Sequence, residues 1–354
     1  MQNDRTQSYF RKKITFLNII LTCMIVMLHA TPNLRFGLPL GSNTPVIYGL
    51  RNALEVAVPL FFFISGLLFY RSCRSNQIYH KIKRRFSSLV VPYLLWNALF
   101  FAIYWVLSHL DFTASRMHMV EVPGDPLFVL NGILNSKFTP LWFIKDLIIF
   151  MLCAPVIYFL IHTGRLAIVT LAVSVTVGLI FDFSYENPIV WLPVYLQGAI
   201  IGRYYYSEQS HHTYTALSAH LKGRYSRKVA VAILSVCILC LYLMILFEPK
   251  AMNIFRYVTP IIIWVSTDLV LGRYLDDSFV VKTWMGYTFF IYCTHYFVLN
   301  ILQKIVVLNF EPTEVLLTMM MIITPVITIL MLLFLASKLS NFKIYKVLNG
   351  GRGL

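Results

Sequence analysis

Charge is scarce in this chain, and negative charge is the scarcest. Only 13% of the 354 residues are charged, with 15 acidic residues against 30 lysines and arginines. Hydrophobic residues make up 58% of the chain, which is more than a soluble protein of this length can bury. The composition therefore excludes a soluble globular fold. It predicts an all-α, polytopic integral membrane protein, since helices satisfy their own backbone in lipid.

Several familiar chemical motifs are also missing. The six cysteines form no disulfide framework, because five lie in apolar segments and one in a basic loop. No glycine-rich loop of the phosphate-cradling kind occurs. No histidines, cysteines and carboxylates stand together at metal-ligand spacing. We therefore expect neither a metal site nor a permanently bound cofactor.

Apolar runs divide the chain into about ten predicted transmembrane helices. They lie at 14–30, 46–70, 87–109, 140–162, 166–181, 189–203, 229–247, 254–272, 284–304 and 314–337. No connection between them is long enough for a separate soluble domain. The predicted organisation is a basic cytoplasmic N-terminus at 1–13, one transmembrane domain at 14–337 and a basic cytoplasmic tail at 338–354.

The distribution of basic residues predicts the orientation. Most of the 30 lysines and arginines fall in the N-terminus, in the connections around 71–85 and 203–228, and after residue 338. The positive-inside rule puts all of these in the cytoplasm, together with both chain termini. Because topology accounts for the basic excess, we expect membrane lipids as partners and no nucleic acid. The oligomeric state is not predicted.

A polar stripe runs along the first predicted helix. Its residues Arg11, Thr15, Asn18, Thr22 and His29 follow one another at spacings of 4, 3, 4 and 7, which puts them on one side of a helix. Ionisable residues within a membrane span generally mark a functional site, because their burial is costly. His29 is therefore the leading candidate for chemistry.

Further polar residues occur in the second and eighth spans. Arg51 and Glu55 are one helical turn apart, and we predict that they pair. Pro59 is predicted to kink the second span. The eighth span contributes Arg256 and Asp268.

Five sequence blocks, taken in order, resemble the membrane acyltransferase 3 family. They are Leu28-His29-Ala30, the block VPLFFFISG from Val58 to Gly66, the basic loop leading to Pro92, Leu141-Trp142-Phe143, and Ile291 to His295. The phenylalanine-rich block is the most specific of them. The resemblance covers residues 14–304 and implies a ten-span enzyme of the cell (inner or plasma) membrane. It implies transfer of an acyl group, usually acetyl, from cytoplasmic acyl-CoA to a hydroxyl of a surface or lipid-linked glycan.

The resemblance also implies residue roles. His29 is expected to be the general base, since an imidazole titrates near neutral pH. The family's arginine, eleven residues before this histidine, is replaced here by Asn18, which brings no charge. From Asn18 to His29 the helix rises about 16 Å, comparable to an extended pantetheine arm.

The remaining candidate residues are assigned to the two substrates. The candidates for binding the acceptor or the acyl group are Asn18, Arg51, Glu55, Trp142, Tyr292 and His295. The candidates for binding the phosphates of acetyl-CoA, the donor substrate, are Arg11, Arg84 and Arg85. Each of these residues also has a structural interpretation: as a member of an ion pair, as an anchor at the membrane interface or as a charge that sets the topology.

Two other functions stay open. A transporter or flippase for a lipid-linked sugar would use a similar polar interior, although it would favour an internal repeat, and we find none between the two halves of the chain. A catalytically inactive acyltransferase-like protein is the third hypothesis, and its basis is Asn18.

Overall fold

The computed structural model describes residues 2–31, 45–110, 122–137, 140–206, 227–247, 251–311 and 313–352. All the regular secondary structure within these ranges is helical. The chain divides into two compact units. The first contains Met1–Leu21, Gly49–Tyr79 and Leu152–Lys282, and the second contains Thr22–Tyr48, His80–Met151 and Thr283–Leu354.

The described residues form α-helices in the following order along the chain. They are α1 (Gln2–His29), α2 (Pro45–Leu54), α3 (Ala57–Tyr70), α4 (Ile78–Arg85), α5 (Val91–Ser108), α6 (Pro126–Leu134), α7 (Trp142–Leu152), α8 (Ala154–Leu160), α9 (Gly164–Ile180), α10 (Pro188–Tyr205), α11 (Arg227–Phe247), α12 (Ala251–Arg273), α13 (Thr288–Asn309), α14 (Glu314–Leu339) and α15 (Lys343–Leu348). A π-helical turn, Phe86–Val90, joins α4 to α5. A 3₁₀ turn, Thr283–Tyr287, precedes α13.

Several of these helices are long and apolar enough to cross a membrane. In the described part of the chain six qualify, or seven if the bent pair of α7 and α8 forms one span. The chain is therefore a multi-pass, all-helical membrane protein. The helices α9, α10 and α11 cover the predicted fifth, sixth and seventh spans without meeting the same criterion. The count of ten and the orientation remain predictions.

The second predicted span is divided by a turn into two α-helices, which together still form one candidate membrane span, Gly49–Tyr70. Helix α2 ends at Leu54 and α3 begins at Ala57, with Glu55 and Val56 in the turn between them. Pro59 causes the break, because it has no N–H to donate to the carbonyl of residue 55 and its ring crowds that carbonyl. The interruption lies in the turn before Pro59, which is where a proline disturbs a helix.

The fourth predicted span is also interrupted. Helix α7 ends at Leu152 and α8 begins at Ala154, with Cys153 between them. Pro155, near the start of α8, again removes a helical hydrogen bond. A continuous helix over 140–162 was predicted, and two helices are found.

Backbone contact between α3 and α10 forms the tightest packing of the first unit. A Cβ atom on Gly66 would collide with the carbonyl of Tyr195, and one on Gly198 with the carbonyl of Phe63. Gly202 lies one turn further along α10. Small residues allow helix backbones to approach closely in lipid, where apolar burial gives little driving force.

Candidate functional site

His29 lies beside a second histidine in the second unit. It is half-buried on the last turn of α1, and its ring centroid is 5.2 Å from that of His295 on α13. Tyr296 meets the His29 ring edge-on at 5.5 Å. The two histidines singled out in the sequence therefore share one site.

The hydrogen bonds of His295 assign its tautomer. Its Nδ1 lies 2.7 Å from the carbonyl oxygen of Tyr292 and 3.1 Å from that of Ile291. Because a carbonyl oxygen only accepts, Nδ1 carries a proton and donates it. The side chain is 0% exposed, and its Nε2 has no hydrogen-bond partner among the described residues.

An unpartnered buried nitrogen is unusual in a folded protein. Leaving such a group unbonded costs free energy, so it generally marks a water or ligand position. In the neutral form of this tautomer, Nε2 of His295 is a hydrogen-bond acceptor. Because His295 lies next to His29, its Nε2 is placed to accept a hydrogen bond from a hydroxyl group or from the His29 imidazole.

A side-chain bond fixes the end of α1 against α13. Gln303 donates from Nε2 to the carbonyl oxygen of Ala30 over 2.8 Å, and both residues are buried. Ala30 follows His29 directly, and Gln303 lies about two turns beyond His295 on α13. This hydrogen bond fixes the end of α1, and with it His29, relative to His295 on α13.

Two aromatic candidates lie close to the histidine pair. The ring of Tyr292 is 6.0 Å from that of His295, and its hydroxyl donates to the carbonyl oxygen of Pro140 over 2.8 Å. Phe143 links the group to the next aromatic residue, since its ring is 5.9 Å from Tyr292 and 6.5 Å from Trp142. Tyr292 and Trp142 are therefore connected through Phe143 on one side of His295.

Glu55 does not form the predicted pair with Arg51. Its ion pair is with Arg256 of α12, at 2.9 Å, and both side chains are 14% exposed. The break before α3 puts Glu55 in a turn, where its side chain meets another helix instead of its neighbour on α2. Arg256 also donates to the side-chain oxygen of Asn253 over 2.9 Å.

Aromatic rings complete this ion-pair cluster in the first unit. The Arg256 guanidinium lies 4.8 Å from the ring centroid of Tyr185 and 5.7 Å from that of Trp191. Burial, and then the charge of Glu55, raise the pKa of the Tyr185 phenol above its ordinary value. These contacts favour a structural role for Glu55 over direct sugar binding.

A buried lysine was missed by the sequence analysis. Helix α1 begins well before residue 14, so Lys13 lies within it and is 1% exposed. Its Nζ is 2.8 Å from the carboxylate of Asp268 and 3.5 Å from the ring centroid of Trp264. Tyr9 donates to the same carboxylate over 2.6 Å. Asp268 within an apolar span was the available signal, because such a carboxylate requires a cation.

The polar stripe of α1 is buried unevenly. Arg11 is exposed, Thr15 and Asn18 are half-buried, and Thr22 is buried. The exposed position of Arg11 leaves it accessible to a soluble ligand. Of the other two predicted phosphate contacts, Arg84 is exposed and Arg85 is half-buried.

The fold and this site define a class: multi-pass helical membrane proteins with a histidine pair among apolar helices. A family model described as "Acyltransferase domain" matches residues 11–336, which is nearly the whole chain. The chain belongs to this acyltransferase 3 family, as the sequence blocks predicted, and it is a membrane acyltransferase. No curated protein and no solved structure matches it.

Proposed function

We propose that the protein transfers an acyl group, acetyl in the first instance, from cytoplasmic acyl-CoA to a hydroxyl of an extracytoplasmic or lipid-linked glycan. The observation that carries the proposal is the contact of His29 with His295, at 5.2 Å between ring centroids, in a chain of an acyltransferase family. An acyl transfer to a hydroxyl needs a base, and an imidazole pair supplies one.

In the proposed mechanism His29 takes the proton of the acceptor hydroxyl. The oxygen attacks the thioester carbonyl and forms a tetrahedral oxyanion. When the oxyanion collapses, the carbon–sulfur bond breaks and the CoA thiolate leaves, taking the proton from the His29 imidazolium. His295, through its unpartnered Nε2, accepts a hydrogen bond from the acceptor hydroxyl or from protonated His29.

The acceptor is proposed to bind next to the aromatic group of the second unit. Trp142 and Tyr292 are half-buried and lie on the side of His295 that carries Phe143. Aromatic rings pack against the apolar faces of sugars, while the two imidazoles would contact the hydroxyl group that accepts the acyl group. Arg51 remains a candidate for the same substrate.

The donor side of the proposal follows the predicted topology. Ten spans with both termini cytoplasmic, in the cell membrane, would put Arg11, Arg84 and Arg85 where acyl-CoA is found. The exposure of Arg11 and Arg84 supports contact with phosphates. Asn18 contributes hydrogen bonds but no charge, so these arginines would supply the electrostatic attraction.

Transfer by reconstituted protein tests the proposal. The full chain is placed in liposomes with radiolabelled acetyl-CoA on the cytoplasmic face and a pooled surface-glycan extract as acceptor. We expect His29→Ala to lower transfer by about 100-fold or more. His162→Ala is the matched control, because His162 is an exposed histidine outside the site, and it should keep wild-type transfer.

A transporter for a lipid-linked sugar is the second candidate. Its support is the interruption of two apolar segments, at Glu55–Val56 and at Cys153, since transporters often bind substrate at broken helices. It predicts sugar movement without release of CoA. An inactive family member predicts neither, and Asn18→Arg then tests whether a positive charge restores donor use.

A further inference from the structure

The segment after α14 is folded and does not continue as an extended tail. Helix α15 ends in a left-handed turn, in which Gly350 has a φ of +61° and donates to Val347 over 3.0 Å. Gly351 donates to Lys346 over 2.9 Å. This pair of bonds is the Schellman cap, which favours glycine at the left-handed position. We name Lys343–Arg352 the docked segment.

The docked segment packs within the second unit. Tyr345 is buried, with its ring centroid 5.3 Å from that of Phe290. Trp96 of α5 donates from its indole to the carbonyl oxygen of Leu348 over 3.0 Å. A contact of this kind holds the chain that follows α15 in one place.

This packing puts the end of the docked segment against the chain that follows Arg85. A Cβ atom on Gly350 would collide with the backbone carbonyl of Ser88, so the turn lies against the π-helical turn that follows Arg85. The Arg352 guanidinium stacks over the ring of Phe289 at 4.0 Å. Burial, and then the positive charge of Arg85, lower the pKa of Arg352 to about 10, so it stays charged at neutral pH.

The charge of Arg352 is not neutralised within the described part of the chain. Its contacts there are the Phe289 ring and the carbonyl oxygen of Asn349, at 3.5 Å from a guanidinium nitrogen, and neither is a carboxylate. Arg352 is therefore a cation of the docked segment for which a bound phosphate would supply the counter-charge.

Two unpartnered polar atoms lie in the same segment. The Oδ1 of Asn349, a fully buried residue, and the hydroxyl of buried Tyr345 have no hydrogen-bond partner among the described residues. Such groups in a folded protein generally face a water or a ligand. A phenol donates to a phosphate oxygen, and an amide oxygen accepts from a hydroxyl or amino group.

We propose that the docked segment completes a phosphate-binding site, in which Arg352 and Arg85 together bind a phosphate group. The inference rests on the proposed function, because acyl-CoA is a donor rich in phosphate. The predicted topology also puts 71–85 and 338–354 on the cytoplasmic side. The headgroup of an anionic lipid is the second source of a phosphate group for this site.

Binding measurements on the full chain in phosphatidylcholine nanodiscs test this site. We expect Arg352→Gln to raise the Kd for CoA about 10-fold, since hydrogen bonds to charged groups are among the stronger ones. Arg352→Lys keeps the charge but loses the planar fork, so it should give a smaller increase. Lys343→Gln removes an exposed charge of the same segment and should leave the Kd unchanged.

A second arm identifies the source of the phosphate. Nanodiscs containing phosphatidylglycerol should stabilise the wild type more than Arg352→Gln if a lipid headgroup occupies the site, while the Kd for CoA stays equal. Equal CoA affinity together with equal stabilisation by the lipid would overturn the inference and leave the proposed function standing. A wild type that binds no CoA would count against the proposed function, and the lipid arm would still decide the site.

Discussion

In the first unit, two basic side chains on apolar helices are paired with carboxylates: Lys13 with Asp268, and Arg256 with Glu55. In the second unit, His29 faces another histidine, whose Nε2 has no hydrogen-bond partner in the described ranges. Arg352 contacts a ring and a carbonyl oxygen there. Paired charges hold helices together, whereas polar atoms without a protein partner are available to substrates. On this contrast rests the proposal that the first set has a structural role and the second set a chemical one.

Replacing His295 should lower acyl transfer more than the changes that follow, and it tests whether the second unit carries the chemistry. The variant His295→Asn keeps a donor for the carbonyl of Tyr292 and removes the unpartnered nitrogen. We expect kcat for acyl transfer to fall about 100-fold with KM for acetyl-CoA little changed, because the loss concerns proton transfer. Steady-state kinetics on reconstituted protein measures both values.

The control for this prediction separates chemistry from packing. His295→Phe fills the same space but removes the bond to the carbonyl of Tyr292 as well, so it should lose stability in addition to activity. A His295→Asn protein with wild-type kcat would assign this histidine to packing alone.

Breaking a pair of the first unit should cost stability and spare activity. Lys13→Met leaves the Asp268 carboxylate without its cation, and we expect a loss of about 3 kcal/mol in the free energy of unfolding. SDS titration in detergent micelles measures it. The double variant Lys13→Met, Asp268→Asn should recover most of the loss, since no charge is then left buried and the new amide oxygen would still accept from Tyr9.

A closely packed glycine of the first unit gives a smaller effect. Gly198→Ala puts a methyl group against the carbonyl of Phe63, and overpacking of this kind costs about 1–3 kcal/mol. Gly164→Ala is the matched control, because a Cβ atom there meets nothing within 4 Å. If both variants unfold at the same SDS concentration, the backbone contact of α3 and α10 is looser than described.

The smallest effect is expected for Tyr292→Phe. It removes the hydrogen bond to the carbonyl oxygen of Pro140 and keeps the ring, so the unfolding free energy should fall by about 1 kcal/mol. Transfer should decrease only slightly, because the ring still packs beside His295. A complete loss of transfer would instead give the Tyr292 hydroxyl a part in the reaction.

The helical, membrane-embedded class and the family were predictable from the sequence, because apolar run length and the ordered blocks around His29 and His295 are local signals. The proximity of His29 and His295 was not predicted from the sequence. Polar periodicity places each residue on a face of its own helix, but it does not say which helices meet.

The ion pairs were harder to predict, because they depend on contacts between helices far apart in sequence. The spacing of Arg51 and Glu55 suggested a pair within one helix, yet Pro59 interrupts that helix and Glu55 meets Arg256. Lys13 was read as part of a basic terminus, because its partners Asp268 and Trp264 lie on a helix far away in the sequence. The segment 343–352 was likewise predicted to be a basic tail, and its composition did not indicate that it folds into a helix.

The most direct test of this account compares acyl transfer per folded molecule in two variants. One is His29→Ala, and the other is the charge-neutral double variant Glu55→Gln, Arg256→Met. The account predicts that His29→Ala loses transfer while remaining folded, and that the double variant keeps transfer close to wild type. Transfer that survives in His29→Ala but disappears in the folded double variant would contradict it and move the chemistry to the first unit.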